Sequence, residues 1–133
     1  MEQALRALQQ VSHSREPLVA VRQWRIAIDS PNVEKVELSF SKSALTISAD
    51  LTDDTVQVIG HHASGPTELA SASSSEWQRA LGLPLANAAL QINHQGYLDG
   101  VRLEFASSVG NSLILELISS SGLELFVVHP AKA

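Results

Sequence analysis

The sequence predicts an α+β fold: an antiparallel meander sheet of about eight strands, curved or two-layered, with two short helices. Three observations carry this. Apolar and polar residues alternate in short runs from Leu18 onward, the period of a half-buried strand. Clusters of Ser, Gly, Asn, Asp and Pro separate the runs. Helical periodicity occurs only at the start and the middle, so the order is not a repeating βαβ pattern. A chain of 133 residues is expected to form a single domain, 1–133.

Residues 2 to 12 read as a helix, with Ala4, Leu5, Leu8 and Val11 near one face. Ser12 to Pro17 is a connector. A strand follows over Leu18 to Ile28. Leu18, Ala20, Trp24, Ile26 and Ile28 share one parity, interrupted by Arg22, while Val19 and Val21 take the other face. The first half of that strand is therefore expected to be buried on both sides. Asp29-Ser30-Pro31-Asn32 turns the chain. Three meander strands come next. Their inward sets are Val36, Leu38 and Phe40, then Leu45, Ile47 and Ala49, then Val56 and Val58. Ser41-Lys42-Ser43 and Leu51-Thr52-Asp53-Asp54 connect them.

Ala63 to Ser75 is rich in Ser, Ala and Gly and reads as a loop. Ser74 or Ser75 can cap a helix from Glu76 to Leu81. Gly82 ends it at the C′ position, and Pro84 prevents its resumption. Leu85 to Asn93 is a strand with Ala88, Leu90 and Ile92 on one face. After the turn through Gly96, three more strands place Val101, Leu103 and Phe105, then Leu113, Leu115 and Leu117, then Leu123, Leu125 and Val127 on alternate positions. Ser107 to Asn111 and Ser119 to Gly122 are the turns between them. The layout is twofold, a helix then strands and again a helix then strands. The residues do not repeat closely enough to predict a duplication.

Composition narrows the function. There is no cysteine, which excludes disulfides, thiolate metal sites and thiol nucleophiles and fits a reducing cytoplasm. The nine basic residues are scattered singly in a chain of net charge −5, so nucleic acid is not an expected partner. No apolar run reaches the roughly 20 residues of a membrane span, and the first residues show no signal-peptide pattern. The expectation is a cytoplasmic protein with neither nucleic-acid nor membrane partners.

The most specific local feature is Asn93-x-x-Gly96-Tyr97-x-Asp99. Gly96 supplies the positive φ of a two-strand turn. Asn93 and Asp99 can bond turn amides through their side chains, and Tyr97 can lay its ring on the helix of Trp77. Beyond a well-made turn, Asn93, His94, Tyr97 and Asp99 form a candidate recognition spot. Asp53 and Asp54 add charge from an acidic hairpin tip that lacks the spacing of a calcium loop. The five histidines show no i, i+2 or i, i+4 pair, and His61 and His62 point to opposite faces of a strand. No metal site is expected. No G-x-S-x-G elbow and no phosphate-binding glycine loop is present, so neither cofactor nor catalytic residues are nominated.

Trp77, Leu81-Gly82, Asn93, Gly96-Tyr97, Asp99 and the run Val101, Leu103, Phe105 resemble the C-terminal half of small bacterial proteins of unknown function, some of them immunity or accessory proteins in toxin loci. The resemblance covers residues 75 to 128 and implies a fold and a non-enzymatic role. The leading expectation is therefore a protein–protein interaction module acting by steric occlusion. A small-ligand-binding protein or simple hydrolase with a pocket near the 93–99 turn is the alternative. A homodimer paired through Leu123 to Val128 is a third reading.

Overall fold

Ala4, Ala7, Leu8 and Val11 recur at helical spacing and are all buried, which fixes α1 over Glu2–Ser14. Glu2 lies in its first turn and His13 in its last, both favourable to the helix dipole. Leu5 falls outside this stripe and is 44% exposed, where an inward position was expected. The helix also runs two residues beyond its expected end. Arg15 then stops it with a left-handed φ of 58°. The computed structural model describes residues 2–25, 33–50, 52–62, 75–107, 112–119 and 122–128. The expected continuation of the first strand to Ile28, the turns at 29–32, 108–111 and 120–121, the loop at 63–74 and the terminus from His129 lie outside them.

Four strands follow α1: β1 (Leu18–Arg25), β2 (Val33–Phe40), β3 (Ser43–Asp50) and β4 (Thr55–His62). Then come α2 (Ser75–Ala80) and four more: β5 (Leu85–Ile92), β6 (Leu98–Ala106), β7 (Ser112–Ser119) and β8 (Leu123–Val128). The expected inward sets of β2, β3 and β6 are buried, as are Val56, Val58, Leu113, Leu115, Leu117 and Leu123.

β1 departs from simple alternation. Its register against β2 shifts between Leu18 and Ala20, a bulge. Leu18 faces the core, Val19 is 55% exposed, and after the bulge Val21 is the inward residue. The strand is not buried on both sides, and Trp24 pairs with Lys35 on the outer face.

The sheet is a curled half-barrel rather than a plain meander. Its order is β4-β3-β2-β8-β7-β6-β5, with β1 on β2 outside that path. Among the described residues, the two sets of four strands meet through one strand pair, Val33 with Leu123. β4 and β5 are the ends of the path, and α1 packs on both, closing the gap between them. Gly60 permits the close approach on the β4 side, since a Cβ there would stand 3.0 Å from the Ala7 Cβ. Buried side chains of both sets form one hydrophobic cluster together with α1, Trp77 and Ala80.

The two sets repeat each other in backbone detail. β1 shifts register after Leu18 and again between Trp24 and Arg25, and β5 does so after Leu85 and between Gln91 and Ile92. Each helix is followed by a positive φ, at Arg15 and at Gly82. Pro17 and Pro84, two residues later in each case, bridge one another. Pro-Leu opens both sets, and V-x-L-x-F recurs as Val36–Phe40 and Val101–Phe105. The chain is thus two copies of a helix and four antiparallel strands. Sequence alone did not predict this, because the shared residues are few and the shared bulges leave no residue signature.

Candidate functional site

The 93–97 turn is built by Asn93. Its Oδ1 accepts hydrogen bonds from the amides of Gln95 at 2.9 Å and Tyr97 at 3.0 Å. Its amide donates to the Tyr97 carbonyl, and its carbonyl accepts from the Gly96 amide. Gly96 has φ 90°, as the turn requires. Asn93 is therefore committed to the backbone. Asp99 is half-buried and, among the described residues, makes no hydrogen bond to the turn. His94 is exposed.

Tyr97 is 55% exposed, at the far end of β5 (Leu85–Ile92) from α2. Ile92, expected inward, is 51% exposed. The register shift between Gln91 and Ile92 turns it out of the core row. The tip thus displays an aliphatic and an aromatic side chain on either side of a fixed turn. Ile92 was missed because alternation alone cannot register a bulge.

Asp53 and Asp54 sit on the β3–β4 turn, both exposed. Asp53 Oδ1 accepts from the Thr55 hydroxyl at 2.6 Å and the Thr55 amide at 3.2 Å. Asp54 holds a left-handed φ of 54°. Asp50 is likewise tied to Thr52. The hydrogen bonds from its hydroxyl and amide hold the Asp50 carboxyl below its usual range. By register, this turn lies at the Val33 end of the first set, and the 93–97 turn at the Leu123 end of the second. Each tip borders the junction in its own half.

A polar row crosses the outer face of the first set. Arg22 is ion-paired with Glu37, a charged residue only 8% exposed. Lys35 Nζ and Arg22 Cζ stand 4.5 Å and 5.5 Å from the Trp24 ring centre, both in cation–π range. His61 Nδ1 lies 3.0 Å from the His62 carbonyl, which can only accept, so Nδ1 carries a proton. In the neutral ring Nε2 then accepts from Thr46 Oγ1 at 2.8 Å. Glu37 Oε2 is 3.6 Å from that same Nε2. A hydroxyl–imidazole–carboxylate relay needs the acid at the other ring nitrogen, so this row is not such a triad. The sequence signal for it was Arg22, which interrupts the apolar parity of Leu18, Ala20 and Trp24. Among the described residues, no group of three or more His, Cys, Asp or Glu could hold a metal ion.

Among the described residues, grooves flank α1 on both sides. The larger, about 910 Å³, runs between α1 and the start of β5 and is bordered by Gln9, His13, Arg15, Asn87 and Ser107. The smaller, about 440 Å³, lies on the β4 side beside Glu16 and His61. No residue of the 93–99 turn lines either. Glu16 clasps the β2–β3 turn by accepting from the amides of Lys42 and Ser43 and the hydroxyls of Ser41 and Ser43. Burial pushes its carboxyl up, but these bonds and the Ser14 side chain outweigh it and hold the carboxyl below its usual range.

Residues 2–132 match DUF6334, a family of unknown function. The chain belongs to this family. The match extends well beyond residues 75 to 128 and takes in both sets of strands. DUF6334 thus spans the whole two-unit architecture. No curated protein and no solved structure matches the chain. No helix among the described residues is long and apolar enough to cross a membrane.

Proposed function

We propose that this DUF6334 chain is a non-enzymatic, cytoplasmic protein-binding module of the bacterial immunity or accessory kind, working by covering a partner's active surface. One observation carries the reading. Ile92 and Tyr97 are each more than half exposed beside a turn whose geometry Asn93 fixes from within. An aromatic and an aliphatic group on a rigid tip are suited to be interface anchors, because little freedom is lost on binding. The acidic tip with Asp53 and Asp54, and the net charge of −5, favour a basic partner. His94 and Asp99 flank the anchors as polar rim.

The test is affinity capture from native extract with tagged wild type beside an Ile92→Ser, Tyr97→Ala variant and a Val19→Ser control. A stoichiometric protein retained by wild type and control but lost with the tip variant supports the reading. Identical capture by all three chains overturns the tip assignment.

A ligand-binding reading moves to the groove between α1 and β5, whose wall presents Arg15 and His13. Chemical-shift perturbation confined to that wall in a screen of small carboxylates would favour it.

A further inference from the structure

The larger groove beside α1, about 910 Å³, has the size of a small-molecule site. Its two walls carry polar groups of one kind. Gln9, His13 and Arg15 come from α1 and its end, Asn87 from β5, and Ser107 from the residue after β6. Among the described residues, no Asp or Glu lines it. The chain as a whole has fourteen Asp and Glu against nine Lys and Arg, so the groove is opposite in sign to the molecule that holds it.

The groups are also poised as donors. Asn87 Oδ1 accepts from the Ala88 amide at 2.9 Å, which leaves its Nδ2 hydrogens for the groove. The Ser107 hydroxyl is buried and has no hydrogen-bond partner. Arg15 has no acidic partner among the described residues. The rest of the lining is apolar and includes Leu5, Pro84 and Ala88. Leu5 stands 44% exposed outside the buried stripe of α1, and this wall is where it lies.

Two backbone irregularities meet at the same place. Arg15 holds a left-handed φ of 58°. Gly82, at the equivalent helix end of the second unit, makes its turn at φ 87° without steric conflict. The turn therefore does not call for an arginine, yet a strained one stands on the groove wall. Strain of this kind gathers at ligand sites. The facing wall holds the bulge between Leu85 and Asn87, a device that re-aims side chains.

We propose that this groove binds a small organic carboxylate. Arg15 holds the charged group through its paired N–H donors, His13 and Asn87 add further N–H bonds, and the hydrocarbon part lies against Leu5 and Pro84. The site rests on the ligand-binding reading of the groove and is independent of the 93–97 tip. His13 and Arg15 also offset the negative end of the α1 dipole, so binding and stability are measured together.

The experiment is a titration of the nitrogen-labelled full chain with hexanoate, with hexanamide and with inorganic phosphate at constant ionic strength, followed by amide chemical shifts. Hexanoate is expected to shift amides of residues 9–15 and 85–88 saturably. Hexanamide has the same body without the charge, and phosphate the charge without the body. Each is expected to bind at least about tenfold more weakly. Arg15→Gly is expected to raise the thermal midpoint and to weaken hexanoate at least about tenfold, a combination that a purely structural arginine would not give. Asn87→Asp keeps the acceptor for the Ala88 amide but sets a carboxylate on the facing wall, and is expected to weaken hexanoate at an unchanged midpoint. Hexanamide or phosphate binding as tightly as hexanoate would leave a ligand groove and overturn the carboxylate class. Wild-type affinity in Arg15→Gly would overturn the role of Arg15. No shift on either wall with any of the three compounds would overturn the groove as a ligand site.

Discussion

The first and second units share an element order, a pair of bulges and an inner face, yet their outer faces are opposites. The first is cross-braced by Arg22, Glu37, Thr46 and His61, with Trp24 held between cations. The second presents Ile114, Ile118, Phe126 and Val128 on its outer rows, with one ion pair among the described residues, Arg102 to Glu116 at 2.9 Å. A repeated backbone needs its inner residues to stay apolar, because both units close one core. Its outer residues are free to diverge. The first unit pairs its outer charges across strands while leaving Val19 and Ile59 more than half exposed, and the second carries fewer charged pairs and more apolar residues in its outer rows.

The largest effects test whether the units are one cooperative body. Leu45→Ala and Leu103→Ala, both fully buried, should each cost about 2–5 kcal/mol by cavity formation. Trp24 lies in the first unit and Trp77 in the second, so their fluorescence reports each half separately. Urea unfolding should give coincident transitions for both probes, and separated midpoints would break the single-core account.

Next come the outer faces. Glu37→Ala removes the poorly exposed carboxylate that pairs with Arg22 and should cost about 1–3 kcal/mol. Arg102→Ala removes a half-exposed partner and should cost less than about 1 kcal/mol. Equal losses in urea titrations would erase the contrast between the two faces.

Arg15 and Gly82 occupy equivalent helix ends in opposite residue types. Gly82→Ala meets no atom within 4 Å, so its cost is backbone strain alone, about 1–2 kcal/mol. Arg15→Gly relieves the same strain and should raise stability by up to about 1 kcal/mol, once unfolded-state entropy is deducted. Thermal midpoints moving in opposite directions would confirm the equivalence.

The smallest effect is a pH dependence. The folded Glu16 carboxyl lies below its usual range, so its stabilising contribution is present above the unfolded value and is lost as pH falls through the folded one. Glu16→Gln should flatten the acid side of the stability curve measured by urea midpoint. An unchanged slope would deny the clasp on the β2–β3 turn a role.

Much of this was legible in the sequence. Alternation found every strand of the described residues, and Gly82, Gly96 and Asn93 marked the helix end and the turn by their chemistry. What it missed has a common cause. Bulges reverse the facing of the residues after them without changing composition, so Trp24 does not share the face of Leu18, nor Ile92 that of Ala88 and Leu90, as simple alternation expects. Long-range pairing is not encoded locally either. The junction of Val33 with Leu123 and the placement of α1 between β4 and β5 depend on how the sheet curls. Of the candidate site, the turn was visible in advance, while the exposure of the Tyr97 ring, its companion Ile92 and the polar row around Glu37 emerged only with the structure.

The contrast between the two outer faces is tested most directly by hydrogen exchange of the full chain beside its Glu37→Ala and Arg102→Ala variants. Faster exchange across β1 and β2 in Glu37→Ala, with exchange across β6 and β7 unchanged in Arg102→Ala, is the predicted result. Equal acceleration in both variants, or none in either, would contradict it.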